Sequence, residues 1–281
     1  DNNMAVPEGN IDPAKQELID TFRNKIKGKS PDVTEKNAQH DGKKGHWLEE
    51  QFGVTANADN KPDINGYELK NETRSKTTFG DWSPNETIYT DVNTRDFFEG
   101  KTKFEKRESF LKIFGKPNRE KDGRCSWSGE ACPKIDKYNT FGQKLEITPN
   151  NDIVAVYSFP HDQRPDKDSI IPKELQKENV QIAKWYGEQK PENASPRSKT
   201  LKSKLEDKFN DKGFFTCKTD ESGKYKKICF GRPIPFKEWI KDVKDGKVIF
   251  DSGMHEKNKR PYAEWRANNG YWDEKLEEEY E

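Results

Sequence analysis

The dipeptide Asn65-Gly66 constrains the fold of this chain most, because it predicts where the chain reverses and which side chains then share a face. Asn-Gly is the strongest short signal for a two-residue hairpin turn. The residues that follow, Tyr67 to Lys70, predict a strand. Because side chains alternate along a strand, Glu68 and Lys70 are expected on one face, with Tyr67 and Leu69 on the other.

Asp63 stands just before this turn and is predicted to lie across from the start of the strand. Its carboxylate and that of Glu68 can hold a hard cation through oxygen, with the backbone carbonyl of Leu69 completing the ligand set. The ammonium of Lys70 then stands beside the cation. Such a group can polarise a phosphate, activate water and offset negative charge during attack on a phosphodiester. The same spacing also occurs in charged surface hairpins, which is the alternative interpretation.

Upstream of the turn, the sequence predicts a short helix that runs from an N-cap at Asp41 to a C-terminal stop at Gly53. Leu48 and Phe52 lie four residues apart and form its buried stripe. Glu49 points about 100° away from Leu48, at the edge of that stripe. An acid at this position can reach into a cleft, so Glu49 joins the candidate site.

Together these residues resemble the MutH-type branch of the PD-(D/E)xK nuclease superfamily, which contains the nicking enzyme MutH and restriction endonucleases such as MvaI and BcnI. The pattern of that branch is matched here by Gly45, Leu48-Glu49, Gly53, Asp63 and Glu68-Leu69-Lys70. The resemblance implies four catalytic residues, Glu49, Asp63, Glu68 and Lys70. It also implies Mg²⁺ as the cofactor, bound by Asp63, Glu68 and the backbone carbonyl of Leu69.

The fold that the resemblance implies is α/β, with a restriction-endonuclease-like mixed central sheet flanked by helices and a second lobe that forms a DNA cleft. We expect residues 1–160 to form a catalytic lobe. Residues 161–281 are expected to form a DNA-recognition lobe that contributes some strands to the sheet. Members of the branch are often monomers, so the resemblance also implies a monomer.

The activity that the resemblance implies is that of a type II restriction endonuclease from a restriction–modification system. Such an enzyme hydrolyses phosphodiester bonds in double-stranded DNA at a short specific sequence. Two alternatives remain open. A MutH-like mismatch-repair endonuclease nicks DNA, and a non-catalytic DNA-binding protein keeps the fold without the reaction. The intact catalytic set argues against the second alternative, because a binding protein has little need for Lys70.

The composition predicts a packed globular protein, with 30% hydrophobic, 36% charged and 11% aromatic residues. Lys+Arg and Asp+Glu both number 51, which argues against a passive nucleic-acid coat. A nuclease remains compatible with this balance, since it concentrates positive charge in a cleft. No apolar run approaches the roughly 18 residues that span a membrane, and no signal-like segment is recognised, so a cytoplasmic protein is expected.

A basic stretch between residues 101 and 124 is expected to contact DNA phosphates, because its lysines and arginines alternate with apolar residues. A solvated amphipathic helix is the alternative interpretation. The residues singled out for DNA contacts here are Lys103, Lys106 and Arg107, together with Arg74 upstream.

A second stretch, residues 255–266, is expected to enter a DNA groove, because its side chains can form paired hydrogen bonds with base edges. The residues singled out here are His255, Lys257, Asn258, Arg260 and Arg266. An exposed polar loop is the alternative interpretation.

Two downstream patterns complete the predictions. Residues 214–217 and 224–230 predict a hairpin, with Cys217 and Cys229 as cross-strand neighbours. The cysteine spacings do not fit a zinc knuckle, so reduced thiols are expected, with a structural zinc site as the alternative. Residues 172–187 predict a helix.

Overall fold

The computed structural model describes residues 10–31, 42–55, 59–71 and 75–281, apart from the side chains of residues 42–44. The helices are α1 (Pro13–Thr21), α2 (Gly42–Phe52), α3 (Lys103–Phe114), α4 (Lys167–Ile170), α5 (Leu201–Phe209), α6 (Phe236–Lys244) and α7 (Asn269–Asp273). The strands are β1 (Glu68–Leu69), β2 (Lys76–Asp81), β3 (Glu86–Thr87), β4 (Lys116–Asn118), β5 (Arg124–Trp127), β6 (Phe141–Ile147), β7 (Ile153–Asp162), β8 (Val180–Trp185), β9 (Phe214–Thr219), β10 (Tyr225–Gly231), β11 (Val248–Ser252), β12 (Met254–His255), β13 (Ala263–Asn268) and β14 (Leu276–Tyr280). Within the described ranges, no helix is long and apolar enough to cross a membrane.

The chain divides into two compact units that are not contiguous in sequence. Unit 1 combines the described parts of residues 1–77 with residues 204–238 and 267–281, and unit 2 contains residues 78–203 and 239–266. This division differs from the expected boundary at residue 160. The physical reason is strand pairing, because β1 finds its hydrogen-bond partner in β9, late in the chain.

Unit 1 is built on a mixed four-stranded sheet with the order β1-β9-β10-β14. Strand β1 runs parallel to β9, whereas β10 is antiparallel to both β9 and β14. Apolar residues from α1, α2 and the sheet form one hydrophobic core. The expectation of a mixed sheet with flanking helices is therefore met in this unit.

The Asn65-Gly66 turn forms as predicted. Ile64 and Tyr67 exchange both backbone hydrogen bonds, at 3.1 and 2.8 Å. Asn65 and Gly66 have φ angles of 55° and 83°, the left-handed values that this turn type requires. A Cβ atom on Gly66 would lie 2.7 Å from a carboxylate oxygen of Asp211, but that exposed side chain can move, so the positive φ is the reason for glycine at this position.

The two N-terminal helices follow their sequence signals. Helix α1 has Asp12 as its N-cap and continues into a π-helical turn, Phe22–Ile26. Helix α2 buries Leu48 and ends before Gly53, whose φ of 73° terminates it. The predicted N-cap Asp41 lies outside the described residues.

Unit 2 contains a four-stranded antiparallel sheet, β3-β8-β7-β6, a three-stranded sheet, β12-β5-β4, and most residues of a second three-stranded sheet, β11-β13-β2. Its core is aromatic. The ring centroids of Trp185 and Trp265 lie 5.3 Å apart, and those of Trp239 and Trp265 lie 5.5 Å apart. These rigid rings fix the framework to which α3 and the 254–262 segment are attached.

The helix predicted over residues 172–187 is wrong. This region contains a short 3₁₀ turn, Lys173–Leu175, followed by strand β8. Val180 and Ile182 are buried on either side of exposed Gln181, and β8 pairs with β7 and β3. A period of two rather than 3.6 governs this region, and strand pairing overrides the helical interpretation.

The cysteine hairpin is confirmed, since β9 and β10 pair as antiparallel neighbours. Cys217 lies opposite Ile228, and Cys229 lies opposite Thr216, so the two cysteines occupy adjacent rather than facing positions. All four cysteines are free thiols. Among the described residues, no group of three or more His, Cys, Asp or Glu side chains could hold a metal.

Candidate active site

The strand after the turn presents two charged side chains to one face and two apolar side chains to the other. Tyr67 and Leu69 belong to the core of unit 1, against α1 and α2. The amide of Glu68 donates to the carbonyl of Gly213 at 3.0 Å, and the amide of Lys70 donates to that of Phe215 at 2.9 Å. These bonds pair β1 edge to edge with β9. Because side chains alternate along a strand, Glu68 and Lys70 share the face opposite that of Tyr67 and Leu69, as predicted.

Asp63 is tied to the same strand through its side chain. Its Oδ2 accepts a hydrogen bond of 2.9 Å from the amide of Leu69. The negative charge of Asp63 helps to raise the pKa of Glu68, which shows that the two carboxyl groups interact. The turn therefore brings together two acids that are five positions apart in sequence.

Glu68 is the most confined charge of this cluster, with 3% of its surface exposed. Its Oε2 lies 3.2 Å from Nζ of Lys70 and 3.5 Å from Nζ of Lys208. Burial raises the pKa of Glu68 to about 7, against the opposing effect of the two lysines. Its Oε1 is buried without a hydrogen-bond partner in the described part of the chain. Buried acceptors of this kind are uncommon in folded proteins, and Asp63 is the acid that interacts with the same carboxyl group.

Lys208 belongs to this cluster and was not among the residues singled out from the sequence. It projects from α5, and 16% of its side chain is exposed. Burial lowers the pKa of Lys208, and the charge of Lys70 lowers it further. Helical phase gives a partial signal, since Lys208 flanks the buried stripe of Leu201, Leu205 and Phe209 as Glu49 flanks Leu48. Nothing local in the sequence places α5 beside Glu68.

Glu49 lies on α2 in a half-buried position, whereas Glu50 is exposed, in agreement with the predicted helical phase. Its Oε2 lies 3.8 Å from Nδ1 of His46, one turn earlier. The side chains of Lys70 and Lys208 thus contact the carboxylate of Glu68, Asp63 interacts with the same strand and the same carboxylate, and Glu49 lies on the helix that packs against that strand.

The three candidate DNA contacts on α3 have different environments. Lys103, at the start of the helix, is exposed. Lys106 donates from Nζ to the carbonyls of Arg95 and Phe98, at 2.8 and 2.9 Å. Arg107 is 6% exposed and donates to the carbonyl of Asn258. Of the three, Lys103 therefore presents its charge to solvent, whereas Lys106 and Arg107 bind neighbouring loops.

The first part of the 255–266 segment is a turn held by its own side chains. Asn258 is 8% exposed, and its Oδ1 accepts from the amide of His255 at 2.6 Å. The Nδ2 of Asn258 lies 2.8 Å from Nε2 of the His255 ring. The amide of Lys257 donates to Glu108 at 2.8 Å, while the Lys257 side chain is exposed. The polar groups of His255 and Asn258 thus stabilise this turn.

The arginines of the same segment lie nearer to solvent. Arg260 is 67% exposed, and its Nη2 lies 3.3 Å from Oδ2 of Asp81. Arg266 is 30% exposed, and its Nη1 lies 3.2 Å from Oδ2 of Asp251. The remaining candidate, Arg74, lies outside the described residues.

Comparison with known proteins gives a consistent result. The family model described as LlaMI restriction endonuclease matches residues 26–280. Type II restriction enzyme ScrFI of Lactococcus lactis subsp. cremoris is 57% identical over 264 residues, which cover 94% of this chain and 97% of that protein. The solved complex of restriction endonuclease MvaI with its cognate DNA substrate superposes with a TM-score of 0.56 at 12% identity, covering 96% of this chain and 98% of that one. At that identity the likeness shows the fold, and it confirms the restriction-endonuclease-like architecture.

Proposed function

This chain belongs to the LlaMI restriction endonuclease family, and from that premise we propose that it is a type II restriction endonuclease. It hydrolyses phosphodiester bonds of double-stranded DNA at a short specific sequence. The observation that carries this proposal is the buried carboxylate of Glu68, which lies within 3.5 Å of two lysine ammonium groups and carries an orphaned oxygen.

Membership in a restriction endonuclease family implies a metal-dependent nuclease, and we assign the metal as Mg²⁺. The ligands are Asp63, Glu68 and the backbone carbonyl of Leu69. All three offer hard oxygen atoms, and Mg²⁺ takes only one or two carboxylates while keeping several waters. The unpartnered Oε1 of Glu68 fits this role, because a cation supplies the partner that the described residues do not. When bound, Mg²⁺ polarises the phosphate and lowers the pKa of water.

The remaining residues of the cluster act through charge and position. Lys70 offsets the negative charge that develops on the phosphate and positions the attacking water. Glu49 orients Lys70 or that water from α2. Lys208 holds the Glu68 carboxylate from the side of α5, so that its rotamer is fixed before DNA arrives.

DNA recognition is assigned to unit 2 and cleavage to unit 1. In unit 2, the exposed cations Lys103, Lys257 and Arg260 contact DNA directly, with Arg266 beside them. Lys106, Arg107, His255 and Asn258 support those contacts by fixing the loops. Arg74 is retained as a phosphate contact on its sequence alone. The enzyme acts as a monomer in the cytoplasm, where its DNA substrate is found.

Digestion of a supercoiled plasmid with Mg²⁺ tests this function. Discrete linear fragments are expected, and sequencing their ends gives the recognition site and the cut position. Open circles would instead indicate a nicking enzyme, and unchanged plasmid with specific retardation would indicate a binding protein. Asp63→Ala should abolish cleavage while retaining DNA binding. The matched control is Asp20→Ala, which removes an exposed acid from α1 in the same unit.

A further inference from the structure

A cavity of about 320 Å³ lies in unit 2, and the 254–262 segment forms one of its walls. Its floor includes the buried rings of Tyr89 and Trp127, and its rim includes the cations Lys103 and Lys259. The active-site cluster of unit 1 contributes no residue to it. The proposed cleavage reaction leaves this cavity without a role.

Two exposed aromatic rings mark the mouth of the cavity. In the part of the chain that the structure describes, three large apolar side chains are more than a third exposed: Val92, Phe104 and Tyr262. Phe104 and Tyr262, at 44% and 39%, both line this cavity. Exposed apolar side chains that line the same cavity are typical of a ligand-binding site.

Each of these rings is paired with an arginine. The guanidinium of Arg107 lies 5.1 Å from the centroid of Phe104, and that of Arg260 lies 4.9 Å from the centroid of Tyr262. A cation over one face of a ring holds that ring in place and leaves its other surface for a ligand. The rings are therefore positioned to stack with a flat, unsaturated group.

The polar groups of the cavity restrict the ligand further. Arg107 lines the cavity, and its Nε is a buried donor without a hydrogen-bond partner among the described residues. The ligand should therefore carry hydrogen-bond acceptors on its flat group. Lys103 and Lys259 add positive charge, which favours a ligand attached to phosphate.

We propose that this cavity receives one nucleobase that is extruded from the DNA duplex during recognition, stacked against Phe104 and Tyr262. This inference rests on the proposed function, because it takes double-stranded DNA as the ligand. A base is flat and carries ring and carbonyl acceptors, and its flanking phosphates suit the two lysines. Extruding a base costs free energy, which stacking on aromatic side chains offsets.

A scan with abasic sites tests the proposal directly. Each nucleotide of the recognition sequence is replaced in turn by an abasic site, and binding of the wild-type enzyme is measured with Ca²⁺ in place of Mg²⁺. Where the missing base is the partner of the extruded one, binding should tighten about tenfold, because less pairing is broken. At the other recognised positions binding should weaken.

The tighter binding at that one abasic position should depend on the rings of Phe104 and Tyr262. Phe104→Ala and Tyr262→Ala should each weaken cognate binding about tenfold and remove the gain at the special position, whereas Tyr262→Trp should retain it. The matched control is Phe159→Ala, because Phe159 also lies under a cation, Lys167 at 4.3 Å, and is not part of the cavity wall. 2-Aminopurine at the identified position should change its fluorescence in the wild-type complex and not in the alanine variants.

The outcomes separate this inference from the proposed function. Discrete plasmid fragments together with no position of tightened binding would overturn the cavity assignment and leave the endonuclease intact. Tightened binding that persists in both alanine variants would also overturn it. Loss of both cleavage and specific binding in the wild-type protein would overturn the proposed function itself.

Discussion

The proposed active-site cluster of unit 1 and the proposed DNA-contact segments of unit 2 both contain many charged and polar side chains, but the hydrogen bonding of these side chains differs. In unit 1, Glu68 is buried with one oxygen unpartnered, and the two lysines beside it are like charges. In unit 2, the side-chain amide of the buried Asn258 forms hydrogen bonds within the turn that contains it. Buried polar groups are normally paired, so a bound partner is expected at the unpaired Oε1 of Glu68 and at the unpaired Nε of Arg107, whereas the paired amide of Asn258 serves the fold.

The largest expected effect comes from Lys70. Lys70→Ala should lower kcat by about 10²–10³-fold, because electrostatic stabilisation of this kind is worth about 3–4 kcal/mol. DNA binding, measured by anisotropy with Ca²⁺, should change little. Single-turnover cleavage of a labelled duplex gives the rate. A rate near that of the wild type would show that Lys70 and Glu68 form a structural ion pair and that Lys70 has no catalytic role.

The pH dependence of stability tests the burial of Glu68. Its pKa of about 7 in the fold exceeds the ordinary value of 4.5. Because the folded protein binds the Glu68 proton more tightly than the unfolded chain does, protonation of Glu68 adds to the free energy of unfolding. This contribution is fully present below pH 4.5 and is lost as the pH rises through 7. In metal-free protein, the free energy of unfolding of the wild type should therefore fall relative to that of Glu68→Gln, by on the order of 3 kcal/mol.

Denaturation in EDTA between about pH 4.5 and 8 measures this difference. Adding Mg²⁺ above pH 7 should restore the wild type, since the ion binds the ionised carboxylate. Parallel curves for the two proteins would contradict the assignment of Glu68 as a confined, unpartnered acid.

Lys208 should have a smaller effect than Lys70, because it acts through Glu68. Lys208→Met removes the charge, keeps most of the length of the side chain and should lower kcat by about 10–100-fold, the range of a supporting residue next to a metal ligand. The Mg²⁺ concentration for half-maximal rate should also shift, which a purely structural change in α5 would not produce. Lys202→Met, an exposed lysine of the same helix, is the control.

The exposed Arg260 tests whether the 255–266 segment of unit 2 recognises DNA. Arg260→Ala should weaken cognate binding by about 1–3 kcal/mol and relax discrimination between sites, without changing stability. Its exposed position leaves the fold intact. Competition binding with cognate and single-mismatch duplexes measures both quantities.

Asn258→Ala provides the contrasting variant. It removes the amide that closes the turn, so it should lower the free energy of unfolding by about 1–3 kcal/mol. If Arg260→Ala destabilised the protein while Asn258→Ala affected only DNA binding, the roles drawn for the two residues would have to be exchanged.

The local features of the active site could be predicted from the sequence. The turn, the alternation along β1 and the phase of α2 depend on neighbours within a few residues, so the positions of Asp63, Glu68, Lys70 and the half-buried Glu49 could be predicted. The catalytic roles of these residues stay predictions. The parallel partner β9 and the contact of Lys208 depend on segments more than 130 positions away. No local period encodes such pairings.

In unit 2, residue chemistry alone was a weaker guide. An asparagine or an arginine can bond to a base or to the protein backbone equally well. Here Asn258 accepts from the backbone amide of His255, and Arg107 donates to the backbone carbonyl of Asn258. The strand at residues 180–185 was missed for a related reason, because a short apolar run fits a helix and a strand until its neighbours are known.

The parallel pairing of β1 with β9 also has a consequence during translation. Residues 49–70 leave the ribosome well before residues 208–215, by roughly ten seconds at the usual rates of synthesis. Throughout that interval Glu68 lacks both β9, the strand with which β1 pairs, and Lys208 of α5. A nascent or truncated chain that stops short of residue 213 therefore carries the complete short motif but no assembled site.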